Sequence, residues 1–239
     1  IFVNFKFCFW LRAGGNYKTR MNGAYLGYNT FVWLEDPQAT KAIKIEPGLY
    51  GAHYNNLFEN NIVYAPSGKI FDGSSTGFSF RNNAYRALPP AAIRGDNDQI
   101  ESAANPIAMV NPTKIPESTF TFSLDMTSPA LITAMPTLTQ LRAMAERYRI
   151  ADSGTACIGK ASDGSSVSAG GYTITPPTTP QDEDFWEADR DANPDIGAHE
   201  NGGNVTPGDD LDASFSATPK KASTIWRGRS GAPSAAASS

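Results

Sequence analysis

The sequence predicts an all-β chain of short strands joined by turns, and three observations predict it. Glycine and proline are abundant, 21 and 17 in 239 residues, and only 18% of residues are charged, which suits a turn-rich β protein better than a helical bundle. Residues 1–10 alternate apolar and mixed positions with a period of two. Asparagine recurs beside short apolar runs at positions 4, 29, 61 and 83, spaced by 25, 32 and 22 residues. Such a period, with several strands in each, fits the stacked rungs of a solenoid. An irregular β-sandwich with Asn-rich turns fits equally well. Asparagine suits either: it tolerates left-handed turns, and stacked amides can hydrogen-bond from rung to rung.

The first expected strand places Ile1, Val3, Phe5, Phe7 and Phe9 on one face. A face so rich in Phe needs a large covering surface and would otherwise be an aggregation-prone edge. The apolar run from Ile1 to Leu11 is too short to cross a bilayer and contains Asn4 and Lys6. Further strand-like runs are 29–34, 42–46, 60–64, 69–71 and 77–85. Thr137 and Gln140 make a capping-box pattern ahead of an amphipathic helix, with Leu138, Leu141, Ala145 and Tyr148 as its stripe. Ser- and Gly-rich loops follow, and 173–175 reads as one more strand. Residues 201–239 are rich in Gly, Ser, Ala and Pro, a linker-like tail in which Phe215, Ile225 and Trp226 are the anchors.

The net charge of −4 implies no polyanionic partner, so nucleic acid is not expected. Cys8 and Cys157 have no metal-like spacing; they read as free thiols, with one long-range disulfide as the alternative in an oxidising compartment. No secretion signal is visible and the first residue is Ile1. A processed product and a part of a longer chain are both consistent with that.

Residues 54–64, then Phe80-Arg81-Asn82-Asn83-Ala84-Tyr85, then 104–112, 122–131 and Asp195-Ile196-Gly197-Ala198-His199-Glu200 occur in an order that resembles the late rungs of right-handed parallel β-helix repeat proteins, the pectate-lyase-like superfamily. The resemblance covers about residues 25–200. It implies a right-handed parallel β-helix: rungs over 1–132, a helix-bearing insertion and a closing strand over 133–200, and the extended tail over 201–239. It implies little about activity, because that superfamily hosts lyases, hydrolases, epimerases, phage fibres and adhesins. The departure is the long stretch between Ser128-Pro129-Ala130 and the closing strand, where the family has a short link.

Asp189, Asp191, Asn193, Asp195 and Glu200 occupy positions 1, 3, 5, 7 and 12 of a frame that can wrap calcium, although Pro194 stands where the sharp turn needs glycine. The competing reading of these residues is a structural turn. His53 and His199 lie near no recognisable triad. A uronate lyase needs a cation for the substrate carboxylate, a base and an acid; Lys69, Arg81, Arg86 and Arg94, with Tyr85, are the cations and phenol near one another in sequence, and solvated turn residues are the alternative reading. No Asp pair suits an inverting hydrolase.

The leading expectation is an extracellular or cell-surface structural protein, a filament, fibre or sheath subunit that binds copies of itself by end-to-end stacking and tail docking, with Phe5, Phe7, Phe9, Phe215, Ile225 and Trp226 as assembly residues and no certain cofactor. The alternatives are the C-terminal part of a polysaccharide lyase or other carbohydrate-active enzyme, and a carbohydrate-binding adhesin, with Trp33, Tyr50, Tyr54, Arg81 and Arg86 as sugar contacts.

Overall fold

Strand order repeats with a period of three. The computed structural model describes residues 1–3, 6–12, 20–34, 40–48, 51–114, 138–162, 165–169, 172–176, 184–186 and 188–202. Its strands are β1 (Phe2–Val3), β2 (Phe7–Leu11), β3 (Tyr25–Gly27), β4 (Thr30–Val32), β5 (Lys41–Ile45), β6 (Asn56–Glu59), β7 (Ile62–Tyr64), β8 (Phe71–Gly73), β9 (Phe78–Arg81), β10 (Ala84–Tyr85) and β11 (Gln99–Ile100). Three sheets form, ordered β1-β4-β7-β10-β11, β2-β5-β8 and β3-β6-β9, and every pairing in them is parallel. From β1 to β10 the chain visits the sheets in turn and returns to each at every third strand, and β11 then adds directly to β10. This is a β-helix-like repeat arrangement, mostly strand, with one short α-helix.

The turn into the first sheet is built the same way each time. Tyr28, Asn60, Asn82 and Asn97 all adopt positive φ, between 50° and 58°. The next residue in each case is Asn29, Asn61, Asn83 or Asp98. Asparagine tolerates the left-handed conformation at three of the four turn positions. The following side chain then binds the next circuit. Asn61 Oδ1 accepts the backbone N–H of Asn29 at 2.9 Å and its Nδ2–H at 3.0 Å. Asn83 Oδ1 accepts the N–H and Nδ2–H of Asn61 at 3.0 and 3.2 Å. Asp98 Oδ1 accepts the N–H of Asn83 at 2.8 Å. The rung-to-rung amide bonding expected for asparagine is thus present at 29, 61 and 83. Asn4 lies outside the described residues, and because Phe2 pairs with Phe31 the position opposite Asn29 falls before Ile1.

Alternation along the first sheet separates two cores. Phe31, Val63 and Tyr85 join Ile43, Ile45, Phe58 and Phe80 of the other sheets in one buried cluster. Its rings pack on one another, Phe31 stacked on Phe58 at 5.6 Å and Phe80 tilted against Phe58 at 5.4 Å. Val32, Ile62 and Ala84 point the other way, into a second cluster with Ile107, Met109, Tyr148, Ile150, Cys157 and Ile196. The region after β11 therefore covers the outer face of this sheet, which would otherwise leave three apolar rows in water.

Several expectations change. Residues 1–10 are not one strand: Lys6 bends the chain, its carbonyl accepts the N–H of Thr40 at 2.8 Å, and β1 and β2 belong to different sheets. Ile1 and Val3 consequently pack on the second core while Phe9 packs on the first, so they do not share a face. The helix, α1 (Leu138–Ala145), continues as a 3₁₀ turn, Glu146–Tyr148. Ala145 and Tyr148 are buried, but Leu141 is 42% exposed and drops out of the stripe. Thr137 lies outside the described residues. Asp195–Glu200 is buried yet forms bends rather than a strand. The strand expected at 173–175 is β13 (Tyr172–Ile174), paired antiparallel with β12 (Val167–Ala169). The boundary at 132–133 and the tail from 203 onward lie outside the described residues.

Candidate functional site: an open strand edge

The two ends of the repeat differ. After Asn83 the last circuit is only 15 residues long before it reaches Asp98, and it forms no strand in the second or third sheet. It carries Pro89-Pro90 and a 3₁₀ turn, Ala91–Ile93. Ile93 is wholly buried in the first core, and Tyr85 Oη donates to its carbonyl at 3.2 Å. Asp98 Oδ2 meanwhile accepts the Gly95 N–H at 2.7 Å. This end is plugged.

At the other end β1, β2 and β3 stand first in the three sheets, each paired with one neighbour in the sheet order. Phe2 and Trp10 are 38% and 41% exposed there. Trp10 is nonetheless braced: Nε1–H donates to Glu46 Oε1 at 3.1 Å, Phe7 tilts against it at 5.0 Å, and Arg12 and Lys44 lie over the ring. Asn29 Oδ1 accepts no hydrogen bond from the described residues, while both of its N–H groups donate onward to Asn61.

The expected assembly residues divide accordingly. Phe9 faces the first core, 6.4 Å from Phe58, and Phe7 packs beside Trp10. Phe5, Phe215, Ile225 and Trp226 lie outside the described residues. Trp10, together with Phe2, is a ring that this edge exposes.

The carbohydrate set is not brought together. Trp33 is 8% exposed and belongs to the core, with Lys69 over its ring, so it is not an exposed platform. Tyr54 lies under Arg20, and Tyr50 is outside the described residues. Arg81 Nε donates to the buried carboxylate of Glu59 at 2.5 Å, and another of its nitrogens donates to the Ser165 carbonyl. Arg86 sits over Tyr64 and 3.9 Å from Glu101, and Arg94 donates to the Pro89 carbonyl. Arg81 does line a polar cleft of about 510 Å³ with Asp96, Asn97, Gln99, Lys160 and Ser162.

The acidic stretch is a buried clasp. Arg190 donates to Glu200 Oε2 at 3.2 Å and to the Gly197 carbonyl at 2.9 Å; the two side chains of the pair are 3% and 1% exposed. Asp195 accepts the N–H groups of Gly159 at 2.6 Å and Asn201 at 2.7 Å. Glu200 Oε2 also accepts the Asp195 N–H at 2.9 Å. Asp191 accepts the Asn193 N–H at 2.7 Å, and Asp189 forms an isolated bridge position. Among the described residues no group of three or more His, Cys, Asp or Glu is placed to hold a metal ion. Burial raises the Glu200 carboxyl to about 7, with the Asp195 carboxylate adding to it and Arg190 opposing. Burial and the charges of Arg149 and Arg190 lower His199 to about 3.

His53 is buried rather than at the surface. Nδ1 accepts the Met21 N–H at 3.0 Å, which leaves Nε2–H to donate to the Glu46 carbonyl at 2.8 Å. Cys8 and Cys157 are buried and form no disulfide among the described residues, and burial pushes the Cys157 thiol up. No helix among the described residues is long and apolar enough to cross a membrane. Nothing in the sequence marks the contacts of Glu59 and Arg190, whereas Asp98 has a signal, its place one residue after an asparagine like Asn61 and Asn83. Comparison with known proteins found no matching family model, no matching curated protein and no matching solved structure.

Proposed function

We propose that the chain is a structural or assembly protein of the cell exterior, a right-handed parallel β-helix of the pectate-lyase-like kind, which joins a partner subunit through the edge formed by β1, β2 and β3. The observation that carries this is the pair of exposed aromatic rings, Phe2 on β1 and Trp10 on β2. Edge strands present backbone donors and acceptors that template pairing with another chain. Pairing there would also cover the two rings. The tail from 203 onward is a second contact in this reading. The test is light scattering across a dilution series on the chain and on Trp10→Lys. Association should be lost while circular dichroism shows the fold intact. Association that is unchanged in Trp10→Lys would defeat the proposal.

A second reading, a carbohydrate-active or carbohydrate-binding protein, rests on the polar cleft beside Arg81 and Lys160, whose volume falls in the range of small-molecule sites. A uronate polymer bound there should lose affinity in Lys160→Ala.

A further inference from the structure

The cleft beside Arg81 is built on the same turns that carry the asparagine ladder. Asn82 and Asn97 line it from left-handed positions, at φ 50° and 58°. Arg81 pairs in parallel with Asp96, whose carbonyl accepts the Asn82 N–H at 2.9 Å. Residues 159–162 also line it, and their backbone is pinned. Gly159 N–H donates to Asp195 Oδ1 at 2.6 Å, Ala161 N–H to the Pro194 carbonyl at 3.0 Å and Ser162 N–H to Asn60 Oδ1 at 2.7 Å. What these residues leave unpaired defines a ligand. Asn82 is 7% exposed, yet its amide lines the cleft and makes no hydrogen bond with the described residues. Burying an amide without a partner costs free energy that a polar occupant recovers. Arg81 is already committed: Nε donates to the wholly buried Glu59 carboxylate at 2.5 Å, and Nη2 donates to the Ser165 carbonyl. Among the described lining residues, the side chains that carry charge without an ion pair are Lys160 and Asp96, both exposed and of opposite sign.

We infer that this cleft is a seat for a neutral sugar, a polyhydroxylated ligand without an acid group. This rests on the carbohydrate reading above and specifies its ligand. The Asp96 carboxylate only accepts, the Lys160 ammonium only donates, and the Asn82 amide does both. A run of hydroxyls, each donor and acceptor at once, satisfies all three together. A uronate does not. Its carboxylate gains Lys160 but meets Asp96, an acceptor of like charge, while the Arg81 charge is balanced by Glu59. No aromatic side chain lines the cleft among the described residues, so a nucleobase finds nothing to stack on. The volume of about 510 Å³ is that of a small-molecule site rather than of an ion pocket.

The experiment titrates the full chain by calorimetry with the neutral disaccharides maltose, cellobiose, lactose and mannobiose, and with the acidic disaccharide digalacturonate. The expected result is saturable binding of at least one neutral probe, tighter than that of digalacturonate. Asn82→Gly removes the amide and keeps the left-handed turn, and should weaken that binding about tenfold, the scale of a lost hydrogen bond to a desolvated partner. Asp96→Asn should weaken the neutral probe and strengthen digalacturonate, a crossed response that a merely structural role would not give. Tighter binding of digalacturonate than of every neutral probe by the unaltered chain would overturn the neutral-sugar inference and leave the carbohydrate reading standing. Absence of binding by all of the probes would overturn both. Neutral binding that is unchanged in Asn82→Gly and in Asp96→Asn would place the sugar outside this cleft and overturn the assignment.

Discussion

Asp98 Oδ1 accepts the backbone N–H of Asn83 at 2.8 Å, and with that bond the line of side chains begun at Asn29 stops. The same carboxylate holds Gly95 N–H, so one residue both ends the ladder and anchors the turn after the Ile93 plug.

Asn61 should be the most sensitive ladder position. It is fully buried, its Nδ2 donates to the carbonyls of Leu26 and Glu59 at 2.8 Å each, and its Oδ1 takes two bonds from Asn29. Asn61→Ala orphans several buried groups and should cost about 3 kcal/mol or more in urea unfolding. Asn29→Ala, at a half-buried end, should cost less. Equal losses would mean that the ladder does not hold the circuits together.

Asp98 gives the stability curve one sign. Burial raises its carboxyl to about 6, above the unfolded value of about 3.9. The folded state then binds the proton more readily, so this contribution is full below about pH 4 and is lost as pH rises through 6. Asp98→Asn should flatten the curve in that window, as read by urea midpoints at each pH.

His199 gives the opposite sign. It is lowered to about 3 from an unfolded value of about 6.5, so its contribution is present above 6.5 and is lost as pH falls toward 3. Its Nδ1 has no hydrogen-bond partner among the described residues, and its ring meets Trp186 edge-on at 5.2 Å. His199→Phe keeps a ring there and should leave the protein more resistant to acid. A parallel loss in both proteins would remove His199 from the account.

Gly197 fixes the clasp against the first sheet. Its φ is 100°, and an added Cβ would meet Ile62 Cδ1 at 2.5 Å and Thr30 Oγ1 at 3.0 Å. Gly197→Ala should cost about 1–3 kcal/mol and expose the second core to proteolysis.

Calcium at millimolar concentration should leave the melting temperature unchanged, because Asp195 and Glu200 already accept from Gly159, Asn201 and Arg190. A rise with calcium concentration would support Asp189, Asp191, Asn193, Asp195 and Glu200 as a binding loop.

Much of the repeat was legible in the sequence because its signal is local. Asn29, Asn61 and Asn83 each follow a turn residue and open a short strand, Thr30-Phe31, Ile62-Val63 and Ala84-Tyr85, and that pattern survives translation into structure. What was not legible depends on contacts far apart in the chain. Lys6 bends because its carbonyl is taken by Thr40, which no pattern within residues 1–10 encodes. Trp33 is inside because three sheets close around it, so its aromatic character alone could not place it at a surface. The acidic stretch showed its carboxylates but not their partners, since the bonds from Gly159 and Arg190 form only when the clasp folds.

Hydrogen exchange at single-amide resolution, measured across a range of protein concentrations, tests the open edge most directly. The account predicts that amides of β2 and β3 gain protection as concentration rises, while those of β5, β6 and β7 stay constant and those around Ile93 do not respond. Protection that grows at Ile93 and β11 instead, or that is independent of concentration at β2 and β3, would contradict it.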